Sequence, residues 1–427
     1  MSELIIKGGK KLYGSVDVQS AKNSVVMLIA CAVLSEGKVV LKNVKPLSDV
    51  INMCRILNNM GAKCFFCGTD LVLDCSSLYS FVPDENLSQT VRCSFFLTGA
   101  LLSKFKKAEM TFPGGCKIGT RPINIHLQCL KKLGVTYVLQ GNKIILNGEK
   151  MRSGVVNLAY PSVGATENII LASVYADGIT KISNAAMEPE IVDLAKFLNK
   201  MGAKVSGAGS NVIKVVGVKR LKEISYTIMP DRIEAGTFLV YTAMTGGKIN
   251  LQNVNTEHIL PVISKLEEAG CKIFKEKNEI VLNAPKRLKA IDIQTFPYPG
   301  FPTDMQSIFL SMARGTSVVT ENIFENRFKC VPELIKMGAH ISISGSSAII
   351  KGTKRLIGKD VTATDLRGGA ALIGAGLKAK GVTCINNCEF VERGYENLEY
   401  KLKKLDVDII KQRGLRFETE EKKSSSE

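Results

Sequence analysis

Apolar and polar positions along this chain follow a pattern that repeats. A glycine turn leads into a short β-rich run, as in Gly178-Ile179-Thr180-Lys181-Ile182, and a polar loop then enters an amphipathic helix such as Glu190–Leu198. The apolar residues of that helix recur at helical spacing, and the helix ends at a glycine. Another strand or two follows. A second helix then opens with Ser, Thr, Asp or Gly near its start, as in Asp231-Arg232-Ile233-Glu234 and Thr364-Asp365-Leu366-Arg367. The helix stop marks the period. Met60-Gly61-Ala62-Lys63 recurs as Met201-Gly202-Ala203-Lys204 and Met337-Gly338-Ala339-His340. Weaker copies are Leu133-Gly134-Val135-Thr136, Ala269-Gly270-Cys271-Lys272 and Leu405-Asp406-Val407-Asp408. The central positions 61, 134, 202, 270, 338 and 406 are 73 residues apart once and 68 apart four times. A unit this long exceeds a solenoid repeat and fits a small α/β module.

Six such modules in 427 residues predict an α/β protein of two domains, each with three βαβαββ-type repeats. The expected domains are residues 22–229, and residues 1–21 together with 230–427, with crossings near 20–22 and 229–231. The strand Leu4-Ile5-Ile6-Lys7-Gly8 precedes the first full copy and is expected to complete the last one. The polar end, 418–427, is expected to be disordered.

Composition adds the balance of a soluble globular protein, 45% hydrophobic and 23% charged. No apolar run is long enough for a membrane span. The start, Met1-Ser2-Glu3-Leu4, lacks the features of a signal peptide, so a cytoplasmic protein is expected. The twelve cysteines are then expected to be reduced thiols. Cys64 and Cys67 form a C-x-x-C with no second pair at zinc-ribbon spacing, and Cys64 aligns with Val205, Ile273 and Ile341 at a buried strand position. Cys384 and Cys388 read the same way, and none of the three histidines sits in a ligand cluster. No metal is expected.

Function should show where a copy breaks the pattern. Gly37 to Gly61 spans 24 residues, as does Gly178 to Gly202, but the matching stretch from Lys107 to Gly134 spans 27. The surplus falls in Pro113-Gly114-Gly115-Cys116-Lys117-Ile118-Gly119-Thr120-Arg121-Pro122. This reads as a mobile glycine-rich loop around one cysteine, with Pro122 in the first turn of the next helix. Nearby cations and helix-end N–H groups would favour the Cys116 thiolate. Arg121, Arg327 and Arg393 lie 13, 11 and 13 residues before their turns, in equivalent strand-to-helix loops. Lys22, Arg92, Arg232 and Arg367 lie at the starts of the second helices. Guanidinium groups at helix N-termini suit phosphate and carboxylate, so the chain predicts a polyanion-binding cleft with an activatable thiol. The net charge of +17 fits a basic surface around such a cleft.

Further segments stand out beside Pro113 to Pro122: Ser20-Ala21-Lys22-Asn23, Ser162-Val163-Gly164-Ala165-Thr166 and Glu188-Pro189-Glu190-Ile191-Val192-Asp193. Others are Pro230-Asp231-Arg232-Ile233-Glu234, Phe301-Pro302-Thr303-Asp304-Met305-Gln306 and Phe324-Glu325-Asn326-Arg327-Phe328. On these segments, over residues 4–412, the chain resembles the UDP-N-acetylglucosamine 1-carboxyvinyltransferase family. The resemblance implies a two-domain inverted α/β barrel that closes over phosphoenolpyruvate and UDP-N-acetylglucosamine, with no organic cofactor and no nucleic-acid or membrane partner. It implies that Lys22, Arg121 and Arg393 hold the phosphate of phosphoenolpyruvate, and that Arg327 and Arg367 contact its carboxylate or shape that pocket. Asn23, Arg92, Arg121, Pro122, Ile123, Asn124 and Ile125 would position the UDP-sugar. Ser162, Val163 and Gly164 would surround its diphosphate, Ile323 would contact it through the backbone, and Asp365 belongs with these substrate-binding residues. Asp304 would be the general base and Cys116 the proton donor, able to form a covalent adduct and to be alkylated by fosfomycin. Asn124 stands where many relatives are acidic, and Tyr160-Pro161 where some carry Lys-Val. Three alternatives stay open on sequence: an EPSP synthase, which shares fold and donor but lacks the cysteine loop; a repeat-built nucleic-acid binder; and a weakly active regulatory paralogue.

Overall fold

The structure, a computed structural model, describes residues 2–112, 114, 118–119, 123–312, 315–352 and 355–413. The repeated turn is visible in the backbone. Gly61, Gly134, Gly202, Gly270, Gly338 and Asp406 all take a left-handed φ, between 63° and 107°. A side chain is strained in that region, which is why glycine holds five of the six positions.

Each turn ends an outer helix and starts a β-hairpin. In the third module Val155–Asn157 runs parallel to Ile179–Ser183, which pairs antiparallel with Val212–Val216, itself paired with Lys204–Ser206. Five of the six sheets have four strands; the sheet of the second module has three among the described residues. The second helix of each module is different in kind. In Lys22–Ala32 every residue from Ser24 onward is buried, and Arg232–Thr245 is buried from Ile233 to its end. A helix apolar all round must sit inside. Lys22–Ala32, Leu97–Phe105 and Val163–Ser173 pack together in one half, and Arg232–Thr245, Thr303–Met312 and Leu366–Lys378 in the other. The sheets wrap around them with one face turned inward, as in the exposed–buried alternation of Lys38–Lys42. Helices inside and strands outside make the inverted barrel that the family resemblance implies.

One core takes residues between Val25 and Ile228, and the other takes Leu4 to Val18 and Ile233 to Ile409. Strands are exchanged where the chain passes between them. Tyr13–Asp17, which precedes the first central helix, lies parallel to Lys248–Gln252 of the fourth module. Ile224–Thr227, which precedes the fourth, lies parallel to Lys38–Lys42 of the first. The two passages bind each other: Ala21 N donates to Met229 O at 2.8 Å, and Asp231 N to Gln19 O at 2.8 Å. Ser2–Lys7 pairs with both Val382–Asn386 and Asp408–Arg413, so the N-terminal strand completes the last module as expected.

Glu234, one turn into the helix after the second passage, is fully buried and tied to Gln19 N at 2.7 Å and Lys401 Nζ at 2.7 Å. Burial outweighs these partners and pushes its carboxyl up to about 7. The folded chain therefore holds this proton more tightly than the unfolded chain. The resulting stability is complete below the ordinary carboxyl pKa near 4.5 and is lost as pH rises through about 7. In thermal melts between these limits, stability is expected to fall by about 1.4 kcal/mol for each pH unit attributable to this group. Glu234→Gln should flatten that slope, and an unchanged slope would show that Glu234 is ionised throughout.

Candidate active site

The passages place cations where the halves meet. Asp231 uses Oδ1 to accept from Ile233 N and Glu234 N, capping its own helix, and Oδ2 to accept from Lys22 N at 3.3 Å. One carboxylate thus sets the starts of the two central helices side by side. Lys22 Nζ then pairs with Asp49 Oδ2 at 2.5 Å, while Arg393 Nε of the other half donates to Asp49 Oδ1 at 3.0 Å. Asp49 is 5% exposed. Burial alone would raise its carboxyl, but Lys22 and Arg393 hold it below the usual range. Sequence reading missed Asp49, whose partners are far away along the chain. The Arg393 loop is positioned by Gln19, whose Nε2 donates to Gly394 O at 2.9 Å and whose Oε1 accepts from Glu396 N at 3.1 Å.

A second cluster forms within the other half. Both oxygens of Asp304, in the first turn of Thr303–Met312, are occupied: Arg327 pairs with Oδ1 and Arg367 donates to Oδ2 at 2.8 Å. Burial opposes the charge, but Arg367 and Arg327 win and hold Asp304 far below the usual carboxylate range. Arg327 Nε also donates to Thr303 Oγ1 at 3.2 Å, and Arg367 donates to Tyr395 OH at 3.0 Å. Tyr395 follows Arg393 by two residues and so ties this cluster to the first. Asp365 is buried, and its Oδ1 caps the Leu366–Lys378 helix through Arg367 N and Gly368 N at 3.0 Å each. It therefore fixes the helix turn that carries Arg367.

Most other predicted residues also stand at helix starts, though in varied settings. Asn23 is the exposed second residue of Lys22–Ala32, and half-buried Arg92 opens a short 3-10 turn. Ile123 precedes the Asn124–Lys132 helix; it is buried, while Asn124 is exposed and Ile125 half-buried. Ser162 caps Val163–Ser173 by accepting from Ala165 N at 3.4 Å. A Cβ at Gly164 would lie 3.1 Å from His126 and 3.2 Å from Phe96, so three helix starts of the first half converge closely there. Arg327 and Arg393 are not in strand-to-helix loops of one kind: Arg393 follows the single-turn helix Glu389–Glu392. Arg232 is held by Glu190 at 3.1 and 3.3 Å across the two halves, a structural ion pair. Tyr160 is 40% exposed. Burial, then the nearby Glu188 and Glu321 carboxylates, raises its phenol above the usual value.

Cys116, Arg121 and Pro122 lie outside the described residues. The described flanks of their loop touch both halves. A Cβ at Gly114 would lie 1.8 Å from Gln89 O, and one at Gly119 would lie 2.3 Å from Glu325. Asn326 N of the second half donates to Ile118 O at 3.0 Å. Only glycine fits at Gly114, against backbone.

The connection carrying Cys116 is longer than the surplus counted from sequence. It runs over residues 112–123, twelve positions, against five at 43–47 and five at 184–188, because the following helix is also shorter. The fifth module has a ten-residue counterpart at 321–330, which carries Ile323 and Arg327. Its first residue, Glu321, is 5% exposed and binds Ile323 N at 2.9 Å, Phe324 N at 3.1 Å, and Thr295 Oγ1 and Thr303 Oγ1 at 3.0 Å each. Sequence reading missed Glu321 too, but a signal existed. Four modules place a left-handed asparagine directly after the strand: Asn43, Asn184, Asn253 and Asn387. The two with long connections carry Phe112 and Glu321 instead.

Helices inside six outer sheets, with helix starts and cations gathered where two three-module halves meet, define the enolpyruvyl-transferase fold. The crystal structure of the enolpyruvyl transferase NikO from Streptomyces tendae superposes with a TM-score of 0.86 at 21% identity, covering 97% of this chain and 99% of that one. An EPSP synthase structure from Acinetobacter baumannii gives 0.74 at 19% identity, over 97% and 100%. The chain belongs to the EPSP synthase (3-phosphoshikimate 1-carboxyvinyltransferase) family, whose model matches residues 6–402. It is 49% identical over 415 residues to UDP-N-acetylglucosamine 1-carboxyvinyltransferase 2 of Caldanaerobacter subterraneus subsp. tengcongensis, covering 96% of this chain and 100% of that protein. It is 45% identical to UDP-N-acetylglucosamine 1-carboxyvinyltransferase of Halothermothrix orenii over 96% and 100%.

Proposed function

We infer that this chain transfers the enolpyruvyl group of phosphoenolpyruvate to the 3′-hydroxyl of UDP-N-acetylglucosamine, releasing phosphate. This is the first committed step of peptidoglycan synthesis. The observation that carries the reading is the 49% identity over the full length of a relative with that name. It is supported by an acidic residue and cations gathered at one cleft. No helix among the described residues is long and apolar enough to cross a membrane. We place the reaction in the cytoplasm, where both substrates would be met.

The residues divide the work between the two clusters. Lys22 and Arg393 meet the phosphate, and both now share Asp49 as counter-ion. Arg327 and Arg367 meet the carboxylate of phosphoenolpyruvate, and both now hold Asp304. The bound substrate is thus a competitor for the arginines. As its carboxylate draws them away, Asp304 loses the charges that depress its pKa and becomes a usable base. Cys116 delivers a proton to C3, the 3′-hydroxyl oxygen bonds to C2, and Asp304 takes the hydroxyl proton. The tetrahedral ketal then returns a C3 proton to the Cys116 thiolate and loses phosphate, which restores the double bond. The cations stabilise the phosphate throughout. The two halves act as domains that close on the substrates, and the loop around Cys116 excludes water.

The deciding experiment measures phosphate release from phosphoenolpyruvate. Release is expected with UDP-N-acetylglucosamine, not with shikimate 3-phosphate, and to fall by about 10² or more in Cys116→Ala. Release with shikimate 3-phosphate alone would make the chain an EPSP synthase, and release from neither would remove the enzymatic reading.

A further inference from the structure

The ends of the two halves away from the cleft differ. In the first half the C-terminal ends of the central helices are closed by two side chains. Tyr175 OH donates to Leu34 O, and Lys104 Nζ donates to Val33 O and Cys75 O at 3.0 Å each. They fill the space and satisfy the carbonyls of Val33 and Leu34 just past the Lys22–Ala32 helix, with Cys75 O just past the strand Asp70–Asp74. Tyr175 stands four residues before the strand Ile179–Ser183. The residue four before Val382–Asn386, the equivalent strand of the other half, is Lys378. Among the described residues no tyrosine or phenylalanine lines that end, and a cavity of about 530 Å³ remains among the ends of Arg232–Thr245, Thr303–Met312 and Leu366–Lys378. Its size is that of a small-molecule site.

The lining has two chemistries. Met244, Leu310, Leu334 and Leu377 supply an apolar floor, each less than 5% exposed. The rim carries Lys351, Arg355, Lys378 and Lys380. Lys10 is also present but is occupied by Asp406 and Asp408 at 3.5 and 3.2 Å. No aspartate or glutamate lines the cavity among the described residues, and Lys351 and Lys380 form no ion pair with any described residue. Three helix C-termini contribute about 1.5 negative charges in all, which Lys351 and Lys380 together exceed. Positive charge above a greasy floor matches an anionic head group on an apolar body.

We propose that this cavity is a second ligand site, for a small amphipathic anion whose phosphate or carboxylate meets Lys351 and Lys380 and whose apolar part lies on the leucine and methionine floor. The site is remote from the catalytic cleft and independent of the reaction assigned to it.

Isothermal titration of the full chain with octyl phosphate, below its micelle-forming concentration, tests this. One saturable site is expected. Octyl glucoside, with the same tail and no charge, should bind at least about tenfold more weakly, as should octyl phosphate to the Lys351→Glu/Lys380→Glu variant. Lys378→Tyr, which installs the ring of the first half, should block the site by filling it. Unchanged melting and phosphate release in these variants report an intact fold. Sedimentation with phosphatidylglycerol vesicles, lost on charge reversal, would identify a lipid headgroup as the source, whereas octyl phosphate binding without sedimentation would identify a soluble anion. The proposal is overturned if octyl phosphate shows no saturable binding, if octyl glucoside matches it, or if neither variant weakens it.

Discussion

Asp304→Asn is expected to lower kcat by about a thousandfold while leaving KM for phosphoenolpyruvate unchanged or reduced. The asparagine keeps the shape of the side chain but cannot accept a proton, so the base proposed for the reaction is lost. It also cannot compete as an anion for Arg327 and Arg367, which pair with both carboxylate oxygens of Asp304. The substrate carboxylate then meets arginines that no longer have to be pulled from a partner, and ground-state binding does not weaken. The same reasoning gives the pH dependence. In the free protein Asp304 is ionised far below neutrality. With substrate bound its pKa rises as the arginines leave, so an acidic limb belongs to kcat more than to kcat/KM. Steady-state kinetics of the variant over pH check this. A raised KM with an unaltered kcat would mean that Asp304 only shapes the pocket.

How far such residues can be read from sequence depends on how local their signal is. The turns at Gly61, Gly134, Gly202, Gly270, Gly338 and Asp406 were legible because a left-handed helix stop needs a particular residue at one position, whatever packs around it. Asp231 and Asp365 were legible as helix caps for the same reason. Asp49 was not. It looks like an ordinary first-turn acid of Ser48–Asn59, and its meaning comes from Arg393, brought to it by the passage of the chain between the halves. Glu190 likewise reads as a surface carboxylate on an amphipathic helix, yet it is 4% exposed and bound to Arg232. Cys64 is buried in its strand, as its alignment with Val205, Ile273 and Ile341 predicts, while Cys67, three residues on, is exposed on the opposite face. The long connection at 321–330 leaves no mark in the sequence count for a different reason. Its extra length comes from shortening of the helix Val331–Lys336, which leaves the count of residues per module unchanged.

Asp49→Ala is expected to destabilise the protein by several degrees in thermal melts, and phosphate is expected to restore more of that loss than it adds to the parent. Asp49 neutralises Lys22 at 2.5 Å and Arg393 at 3.0 Å, and these residues come from opposite halves. Without it the two cations face each other at low exposure with no counter-ion. Removing one partner of a buried ion network costs about 3 kcal/mol or more, because the remaining charge is left desolvated and unpaired. An arriving phosphate replaces the missing anion, so the variant gains more from binding than the parent, in which phosphate must displace Asp49. The two effects diverge in catalysis. Phosphoenolpyruvate should still bind, but nothing then returns Lys22 and Arg393 to a common position between turnovers. Phosphate release should therefore slow by about tenfold, with product phosphate a stronger inhibitor than in the parent. Melting curves with and without phosphate and product-inhibition kinetics test both parts. Equal stabilisation of parent and variant by phosphate would show that Lys22 and Arg393 do not share this anion.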